Sequence, residues 1–524
     1  MAFDSLGQFV HALRRAGELV EVRAEVDPHL EISEISDRAV KAGGPALLFS
    51  NVRGSRYPVL TNQFGTERRM ALAFGADSLD DVAARVRGAV DLSRPRDLME
   101  GLGKAVAFGT LAFSLPRTVK RAPVHEIVDH EPDLRTLPVL TTWPLDAGPF
   151  ITLPLVITRD PESGAQNVGM YRMQVYDART TAMHWQRHKH GRAHARKWGR
   201  HVPVAVAIGA DPALTYAASA PLPPAIDEVA FAGFLRGRPI TMVKCKTVDL
   251  KVPAEAEFVL EGYVDNEDLR IEGPFGDHTG VYSLADSYPA FHVQCITRRV
   301  NPIYAATVVG KPPMEDAWLG KTSERIFLPL LQMIVPEIVD YNLPVEGGFH
   351  NLCIVSIRKS YPGQAKKVMN ALWGLGHMMM LTRCLIVVDA DVDVHDTRAV
   401  AWFALNNVDA SRDLVVMPGP VDDLDHAGSY LVALGHKLGI DATRKGADEG
   451  YARVWPPEIV MDEATRDLVN RRWHEYGLRL GGSADAWSGQ GEAALRKLLD
   501  SPGLKPGSVD RAKLGADGAP ALER

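Results

Sequence analysis

Apolar residues recur every three to four positions between residues 5 and 17, which is the spacing of an amphipathic helix, and Gly17 ends this pattern. Two short apolar runs, at residues 45–50 and 57–62, then predict strands. A second helical pattern covers residues 78–90. Strands that alternate with helices in this way predict an α/β region at the start of the chain.

The pattern changes near residue 120 to short β-rich runs with turns between most of them. Runs at this spacing favour a barrel or a sandwich. From about residue 320 to 450 the pattern returns to α/β, with two buried strands predicted at 352–357 and 384–389 and a helix between them. The central β-rich runs lie at residues 152–158, 202–208, 240–244, 256–263 and 292–297.

These changes divide the chain into five predicted parts. The last part is rich in Gly, Ala, Ser and Pro; one helix is predicted there at residues 492–499, and the remainder is expected to be mobile or to pack on another subunit. The parts are an α/β region at 1–120, a β-rich domain at 121–318, a linker helix at 319–335, an α/β domain at 336–460, and a helix with a tail at 461–524.

Composition and charge narrow the class of protein. Of the 524 residues, 46% are apolar, which is ample for sizeable cores. The net charge of −6 and the isoelectric point near 6.3 argue against a general binder of nucleic acid or of acidic membrane surfaces. No partner of either kind is therefore expected.

The cysteines and the chain start bear on location. The cysteines are dispersed and form no Cys-x-x-Cys pair, which argues against zinc-finger and dithiol sites. So few cysteines in a large chain are typical of proteins of the reducing cytoplasm, where we expect this protein. No run of about 18 uncharged apolar residues predicts a membrane span, and the first residues do not resemble a signal peptide. The cysteines are Cys245, Cys295, Cys353 and Cys384.

Glu272 and Asp277 stand five residues apart around a Gly-Pro-Phe-Gly core. Gly permits positive φ and Pro fixes φ, so this segment favours a tight turn that holds both acids in a small volume. Two acids in unlike surroundings acquire different pKa values, and one can then stay protonated as a general acid. A polar surface turn is the alternative interpretation.

A second group of candidate residues lies upstream. Asn167 and Arg172 bracket a strand-like run, and a segment rich in His, Lys and Arg follows at 183–192. Its Lys and Arg would neutralise a phosphate and one imidazole would ligate a divalent ion. A basic surface helix or a non-specific anion patch is the alternative. Glu228 begins an apolar helical pattern, where a carboxylate also favours the helix dipole, so this residue alone is more typical of a helix start than of a ligand.

Taken together, these candidates resemble the UbiD family of reversible decarboxylases that depend on prenylated FMN. The resemblance covers nearly the whole chain, and matches this long and ordered are specific. The candidates occur in the order Asn167, Arg172, His188, Glu228, Glu272 and Asp277. The matching segments are 26–35, 43–49, 167–172, 231–237, 259–263, 272–280 and 435–443.

The resemblance implies a metal site and a flavin site. Asn167, His188 and Glu228 would bind Mn²⁺ or Mg²⁺ together with the cofactor phosphate, with His190 as the alternative to His188 and K⁺ as the candidate for a second ion. An amide oxygen, an imidazole and a carboxylate suit such a divalent ion. Arg383 stands where the family usually has Lys, and the two are not interchangeable at a phosphate. The residues that would line prenylated FMN are Met170, Tyr171, Arg172, His184, Trp185, Gln186 and Lys189.

The resemblance also implies catalytic roles. Arg172 would clamp the substrate carboxylate, Glu272 would orient Arg172 and relay protons, and Asp277 would protonate the carbon after CO₂ leaves. Loss of CO₂ from an sp² carbon leaves electrons that no side chain can store, so a cofactor must accept them. In this family the substrate forms a covalent adduct with the modified flavin.

For the fold, the resemblance implies a split β-barrel of the flavin-reductase type between the two α/β parts, with the site in the cleft before the C-terminal domain. It also implies a homodimer or a dimer-based hexamer and a UbiX-like flavin prenyltransferase as cofactor supplier. Two alternatives stay open. A split-barrel reductase with ordinary FMN leaves Glu272 and Asp277 without a role, and a non-enzymatic basic-patch protein using 187–201 conflicts with the overall acidity.

The substrate is not determined by the sequence. Acids of the ubiquinone-precursor, hydroxybenzoate, heteroaromatic and aromatic acyl-CoA types all occur in the family. The long tail and the His-Lys-His insertion depart from the ubiquinone-pathway pattern and favour a catabolic aromatic acid. His436 lies in a segment that faces substrate in hydroxybenzoate decarboxylases, and a hydrogen-bonded core histidine is the alternative.

Overall fold

The structure is a computed structural model with a mixed α/β multidomain fold. The predicted helix at 492–499 and the ligand candidate His188 lie outside the described residues. Within those residues, no helix combines the length and the apolar character needed to cross a membrane. The structure describes residues 3–90, 114–187, 189–223, 226–376, 378–428, 433–451, 455–456 and 458–477.

The N-terminal region packs four helices around a small sheet. The first helix begins where the Ser5 hydroxyl accepts a hydrogen bond from the Gln8 amide, and it buries Leu6, Phe9 and Leu13 as its spacing predicts. The sheet order is β1-β2-β3-β18. The strands are β1 (Leu19–Val22), β2 (Ala46–Phe49), β3 (Val59–Thr61) and β18 (Tyr304–Ala305), and the helices are Leu6–Arg15, Glu31–Lys41, Glu67–Ala73 and Leu79–Val90.

The central region is built on a seven-stranded antiparallel sheet, ordered β10-β17-β14-β11-β7-β8 with β5 paired to β17. Strand β11 (His201–Ile208), inside this sheet, is buried on both faces. Val204 and Val206 pack into one core, and Ala205 and Ala207 pack into another core that includes Phe9. This explains the continuous apolar run at 202–208. The strands are β5 (Ile127–Asp129), β7 (Leu155–Arg159), β8 (Gln166–Met170), β10 (Thr180–Ala182), β11 (His201–Ile208), β14 (Phe258–Glu272) and β17 (Asp286–Arg298).

Smaller elements complete this region. The split-barrel prediction is not confirmed, because the described strands do not close into a barrel. Three helices belong to this region, and its remaining strands form two pairs and one three-stranded sheet. These strands are β4 (Arg117–Val119), β6 (Phe150–Ile151), β9 (Met173–Gln174), β12 (Thr241–Lys244), β13 (Lys251–Pro253), β15 (Phe275–Gly276) and β16 (Tyr282–Ser283), and the helices are His190–Trp198, Pro212–Ala217 and Glu228–Arg236.

A long helix, Glu315–Ile334, leads into the C-terminal domain and begins four residues earlier than the predicted linker. Its Glu315 side chain accepts hydrogen bonds from the Asn62 and Phe64 amides at 3.1 and 2.9 Å, which ties the helix to the N-terminal region. The N-terminal region and the long helix are therefore in direct contact, although a predicted domain boundary lies between them in the sequence.

The C-terminal sheet is ordered β19-β20-β21-β23-β22, with β20, β21 and β23 parallel and helices on both faces. Both predicted buried strands are confirmed to the residue. The strands are β19 (Ile338–Asn342), β20 (Leu352–Ile357), β21 (Cys384–Asp389), β22 (Leu414–Pro420) and β23 (Leu434–Asp441). The helices are Gln364–Gly374, Met378–Leu381, Thr397–Asn407 and Glu463–Arg472. Single 3₁₀ turns lie at Pro123–His125, Leu134–Thr136, Val345–Gly347, Ala447–Glu449 and Trp473–Tyr476.

Candidate active site

A cavity of about 340 Å³ lies between the central region and the C-terminal domain. Clefts of this kind are where small-molecule sites form. Its central wall includes Met170, Tyr171, Arg172, His184, Trp185, Gln186, Lys189, Phe275, Asp277, His278 and Tyr288. Its C-terminal wall includes Phe349, His350, Leu381, Asp422, Asp423 and Leu424.

The Gly-Pro-Phe-Gly turn brings the two acids of the sequence motif to this cavity. Glu272 ends β14, and the chain then turns at Gly273, whose φ of +87° favours glycine, into the β15–β16 hairpin. Gly276 is required by close packing, because a Cβ there would lie 2.2 Å from the Trp143 ring. The turn therefore places Glu272 and Asp277 within hydrogen-bond distance of a single arginine.

Arg172 is that arginine, and its guanidinium joins both acids. Its Nε donates to Glu272 Oε1 at 2.9 Å, and a second nitrogen donates to Asp277 Oδ2. A third donates to the Ser283 hydroxyl at 3.2 Å, and the group lies 4.9 Å from the centroid of the Phe275 ring. Only 10% of the Arg172 side chain is exposed, so a cation is held at the cavity wall in a fixed orientation.

The charges of this cluster stabilise one another. Burial raises the pKa of Glu272, but the hydrogen bond from His184 and the charge of Arg172 outweigh it and hold that pKa below its usual value. Burial likewise raises the pKa of Asp277, and Arg172 and His278 more than offset it. Both acids are therefore ionised in this arrangement, and the expectation that one stays protonated is not met here.

Three histidines extend the cluster. His184 is among the predicted flavin-lining residues, whereas His278 and His350 were not predicted. His184 Nδ1 lies 2.6 Å from Glu272 Oε2, while His278 Nδ1 lies 2.9 Å from Asp277 Oδ1. His278 Nε2 lies 2.7 Å from Nε2 of His350, which belongs to the C-terminal domain. His278 stands within the acid motif and could have been singled out, but no sequence signal marks His350.

Asn167 and Glu228 meet beside the main cavity. Glu228 begins its helix, as predicted, after the N-cap residue Asp227, and it accepts hydrogen bonds from the Asn167 side chain and from the Val168 amide at 3.1 Å. His190 Nδ1 lies 3.8 Å from Glu228 Oε1 and 3.4 Å from Asn167 Nδ2. The three side chains surround a small space of about 20 Å³.

The donor set at this small space fits a divalent ion. Asn167 Oδ1 is buried and has no hydrogen-bond partner among the described residues, although a buried amide oxygen normally finds one. A carboxylate, an amide oxygen and an imidazole are suitable ligands for Mn²⁺ or Mg²⁺. The predicted metal ligation stays a prediction, with His190 as the described imidazole nearest to the other two residues.

The segment between these clusters lines the cavity with aromatic and basic groups. The Tyr171 and Trp185 rings pack edge to face with centroids 5.5 Å apart, and a Cβ on Gly191 would lie 2.7 Å from the Trp185 ring. The indole nitrogen of Trp185 is buried without a partner in the described structure. Burial lowers the pKa of Lys189, an effect that Glu228 and Asp422 oppose. An anionic, planar group would meet unpaired donors here.

Arg383 and His436 lie away from this cavity wall. Arg383 donates to Asp425 Oδ1 at 2.7 Å and is not among the described residues that line the cavity. His436 is exposed on β23, in register with Pro418, and is likewise not a lining residue. Their predicted contacts with phosphate and substrate stay predictions without support from this arrangement.

Comparison with known proteins identifies the family. Three domain profiles of 3-octaprenyl-4-hydroxybenzoate carboxy-lyase match the chain: the N-terminal domain over residues 10–86, the Rift-related domain over 117–312 and the C-terminal domain over 317–442. The chain belongs to the UbiD family. The resemblance seen in the sequence is thereby confirmed, and the protein is an enzyme of the carboxy-lyase class.

Two proteins from other organisms are similar to this chain over most of its length. An uncharacterized protein of Archaeoglobus fulgidus is 54% identical over 480 residues, which cover 91% of this chain and 99% of the relative. One of Aquifex aeolicus is 46% identical over 483 residues, with the same two coverages.

Solved structures share the fold. The closed form of Sedimentibacter hydroxybenzoicus vanillic acid decarboxylase has a TM-score of 0.79 at 27% identity, covering 96% of this chain and 100% of that one. The UbiD-class enzyme HmfF from Pelotomaculum thermopropionicum in complex with FMN has a TM-score of 0.72 at 28% identity, covering 86% and 97%. An evolved dimeric form of HmfF in complex with prFMN has a TM-score of 0.70 at 29% identity, covering 87% of this chain and 97% of that one. These likenesses confirm a multidomain α/β fold of the UbiD type.

Proposed function

We propose that the protein is a non-oxidative, reversible decarboxylase of an aromatic or α,β-unsaturated carboxylic acid that uses prenylated FMN. The observation that carries this proposal is Arg172, held by Glu272 and Asp277 at the wall of the cleft between the two domains. Such an arginine binds a carboxylate in a fixed orientation, and the adjoining acids provide a site for proton transfer.

The residues present fit the cofactor. The unpaired indole N–H of Trp185 and the half-buried Lys189 would face the flavin and its phosphate. Asn167, Glu228 and a histidine, either His188 or His190, would hold the divalent ion that joins the phosphate. Prenylated FMN, when bound, supplies the electron sink that decarboxylation at an sp² carbon requires.

The side chains of the chain itself then have distinct tasks. Arg172 binds the substrate carboxylate, and Phe275 and Phe349 exclude water from its surroundings, which favours loss of the charged group as neutral CO₂. Glu272, hydrogen-bonded to His184, keeps Arg172 in position. Asp277 passes a proton to the carbon that CO₂ has left, so each turnover takes up one proton.

The size of the cavity supports a small substrate. About 340 Å³ has to accommodate the reactive end of a flavin as well as the acid, which leaves room for one aromatic ring, while any longer chain such as CoA would extend through the open side of the cavity. We therefore propose a hydroxybenzoate, heteroaromatic or aromatic acyl-CoA acid as the substrate class. We also propose that the protein works as a homo-oligomer.

CO₂ release from a panel of acids tests the proposal. The protein is made with and without a flavin prenyltransferase and offered vanillate, 4-hydroxybenzoate, 3,4-dihydroxybenzoate, 2-furoate and cinnamate. We expect CO₂ only from the protein made with the prenyltransferase, and a cofactor mass above that of FMN. Full turnover with FMN alone would overturn the cofactor assignment, and an NAD(P)H-dependent FMN reduction without CO₂ release would favour the reductase alternative.

A further inference from the structure

The two oxygens of Asp277 have different partners. Arg172 contacts Oδ2, whereas Oδ1 accepts from the His278 backbone amide at 2.7 Å and lies 2.9 Å from its ring nitrogen Nδ1. The other ring nitrogen of His278 lies 2.7 Å from His350 Nε2. A line of hydrogen bonds therefore runs from Arg172 through one acid and two imidazoles into the C-terminal domain.

The charges around this line place one proton on His278. Burial lowers the pKa of His278, but the hydrogen bond and the charge of Asp277 raise it to about 9. Burial and the charge of His278 lower the pKa of His350 to about 4. The carboxylates that face the pair are Asp277, Asp316 of the long helix, and Asp422 and Asp425 of the C-terminal domain; burial raises the pKa of Asp316 to about 7, which His278 opposes.

Decarboxylation consumes one proton, which an ionised Asp277 does not carry. A carboxylate substrate becomes a neutral C–H product and CO₂ only by taking up one proton, yet Asp277 is ionised between Arg172 and His278. A group within hydrogen-bond distance of Asp277 can supply that proton. Among the described residues, His278 is the one whose imidazole contacts this carboxylate.

We propose that His278 supplies the proton that Asp277 delivers to product, and that His350 positions His278 for this transfer. The inference rests on the proposed function. Because the proton is more stable on His278 than on Asp277, the two transfers are coupled to formation of the product C–H bond. The Nδ1–H bond of His278 breaks with its electron pair staying on Nδ1, the proton passes through Asp277 Oδ1 to the carbon, and His278 regains one proton from solvent before the next turnover.

His350 acts through His278 and not on the substrate proton. It accepts the Nε2–H of His278, so that the Nδ1–H of that ring points at Asp277; its own proton is then on Nδ1, which has no partner among the described residues. Because His350 belongs to the C-terminal domain, proton supply depends on the contact between the two domains.

Steady-state kinetics of the holoenzyme between pH 6 and 10 test the donor, with vanillate, 3,4-dihydroxybenzoate and 2-furoate as probes. In the wild type we expect kcat to fall as pH rises through about 9, because the proton on His278 is lost there. His278→Gln should lower kcat by about 10–100-fold, somewhat less than loss of a direct general acid, leave KM within about twofold and abolish that alkaline limb. His201→Gln is the control, since it removes another imidazole–carboxylate pair, with Asp265 at 3.4 Å, that lies away from the cavity.

A pair of His350 variants tests positioning. Gln offers an oxygen that can accept from His278, and Phe does not. We expect His350→Phe to lower kcat by about tenfold and His350→Gln to restore most of that loss, with flavin content equal in both. Equal losses in the two variants would contradict a positioning role.

Two results would overturn the donor role of His278. One is an unchanged kcat and pH profile in His278→Gln; the other, which needs no variant, is a wild-type kcat that shows no fall near pH 9. A ¹⁵N-histidine NMR titration of the wild type measures the protonation of His278 directly. We expect the His278 imidazole to stay protonated at pH 8. If no acid in the panel releases CO₂, the proposed function fails while this titration still reports whether His278 carries the proton.

Discussion

His184 Nδ1 lies 2.6 Å from Glu272 Oε2, while the other oxygen of Glu272 accepts from Arg172 at 2.9 Å. The two contacts use both oxygens of one fully buried carboxylate. Rotation of Glu272 would break at least one of them, so the acid is held in a single orientation. Arg172 in turn is held in place through its Nε.

Glu272→Gln is expected to reduce stability at neutral pH by an amount that shrinks on acidification. The pKa of Glu272 is lowered in the folded protein, so its stabilising effect is fully present above the unfolded-state value near 4.5 and is lost as pH falls from there through the lower folded-state value. The difference in Tm between wild type and variant should therefore be largest near pH 7 and shrink below pH 4.5, so that it is clearly smaller near pH 3. Thermal melts across this range measure it.

The matched control for that series is an acid whose ion pair is exposed. Glu25 pairs with Arg53 at 2.9 Å with more than half of each side chain exposed, and exposed pairs contribute little. Glu25→Gln should leave Tm nearly unchanged at both pH values. A Glu272→Gln melt that tracks wild type at pH 7 would contradict the view that this carboxylate is paired and ionised.

Glu228→Gln should weaken both metal and flavin binding. Its carboxylate shares the small space with Asn167 Oδ1, and loss of a ligand charge or of its support typically costs about 10–100-fold in affinity. Metal content by mass spectrometry and flavin absorbance after gel filtration are the readouts. Asp227→Asn is the control, because an amide oxygen can still cap the same helix; normal metal and flavin content in Glu228→Gln would leave Glu228 as a helix-start residue only.

The sequence predicts local elements and the order of the functional residues well, because both depend on short-range patterns. The run at 202–208 predicts a buried strand, and the motif around Glu272 and Asp277 predicts a turn that holds two acids together. Family resemblance adds Arg172, which is 100 residues away in sequence from Glu272 and contacts it in the structure. No periodicity could have paired them.

Contacts between side chains of different domains could not be predicted from the sequence. His350 reaches His278 only because the C-terminal domain closes over the central region, and nothing near residue 350 in the sequence indicates this. The direction of the Asp277 pKa also could not be read from the sequence, since burial alone would raise that pKa and only the contacts with Arg172 and His278 reverse the direction. Arg383 shows the converse: its place in the sequence suggests phosphate, whereas its guanidinium pairs with Asp425.

Gly276→Ala is expected to destabilise the acid turn. An added Cβ would lie 2.2 Å from the Trp143 ring, whose indole nitrogen donates to the Val309 carbonyl at 2.8 Å, so either the ring or the hairpin must move. Overpacking of this kind typically costs about 1–3 kcal/mol. Chemical denaturation measures the loss, and Gly374→Ala is the control because a Cβ added there would meet open space.

Asp277→Asn separates proton delivery from binding. The amide keeps the size of the side chain and can still accept from Arg172, but it cannot donate an acidic proton. We expect kcat to fall by about 10²–10⁴-fold, the usual contribution of a general acid, while flavin absorbance and metal content are retained. Exchange of solvent deuterium into the product at the reacting carbon should fall in parallel, because that exchange uses the same proton transfer.

Asp286→Asn is the control for the Asp277 variant, since Asp286 is an exposed acid at the start of β17, nine residues further along the chain. Its kcat and exchange rate should match wild type. If Asp277→Asn retained near-normal turnover, the acid role would pass to Glu272 or to solvent. If turnover fell but exchange did not, Asp277 would serve the loss of CO₂ and not the protonation, because the two measurements share only the proton-transfer step.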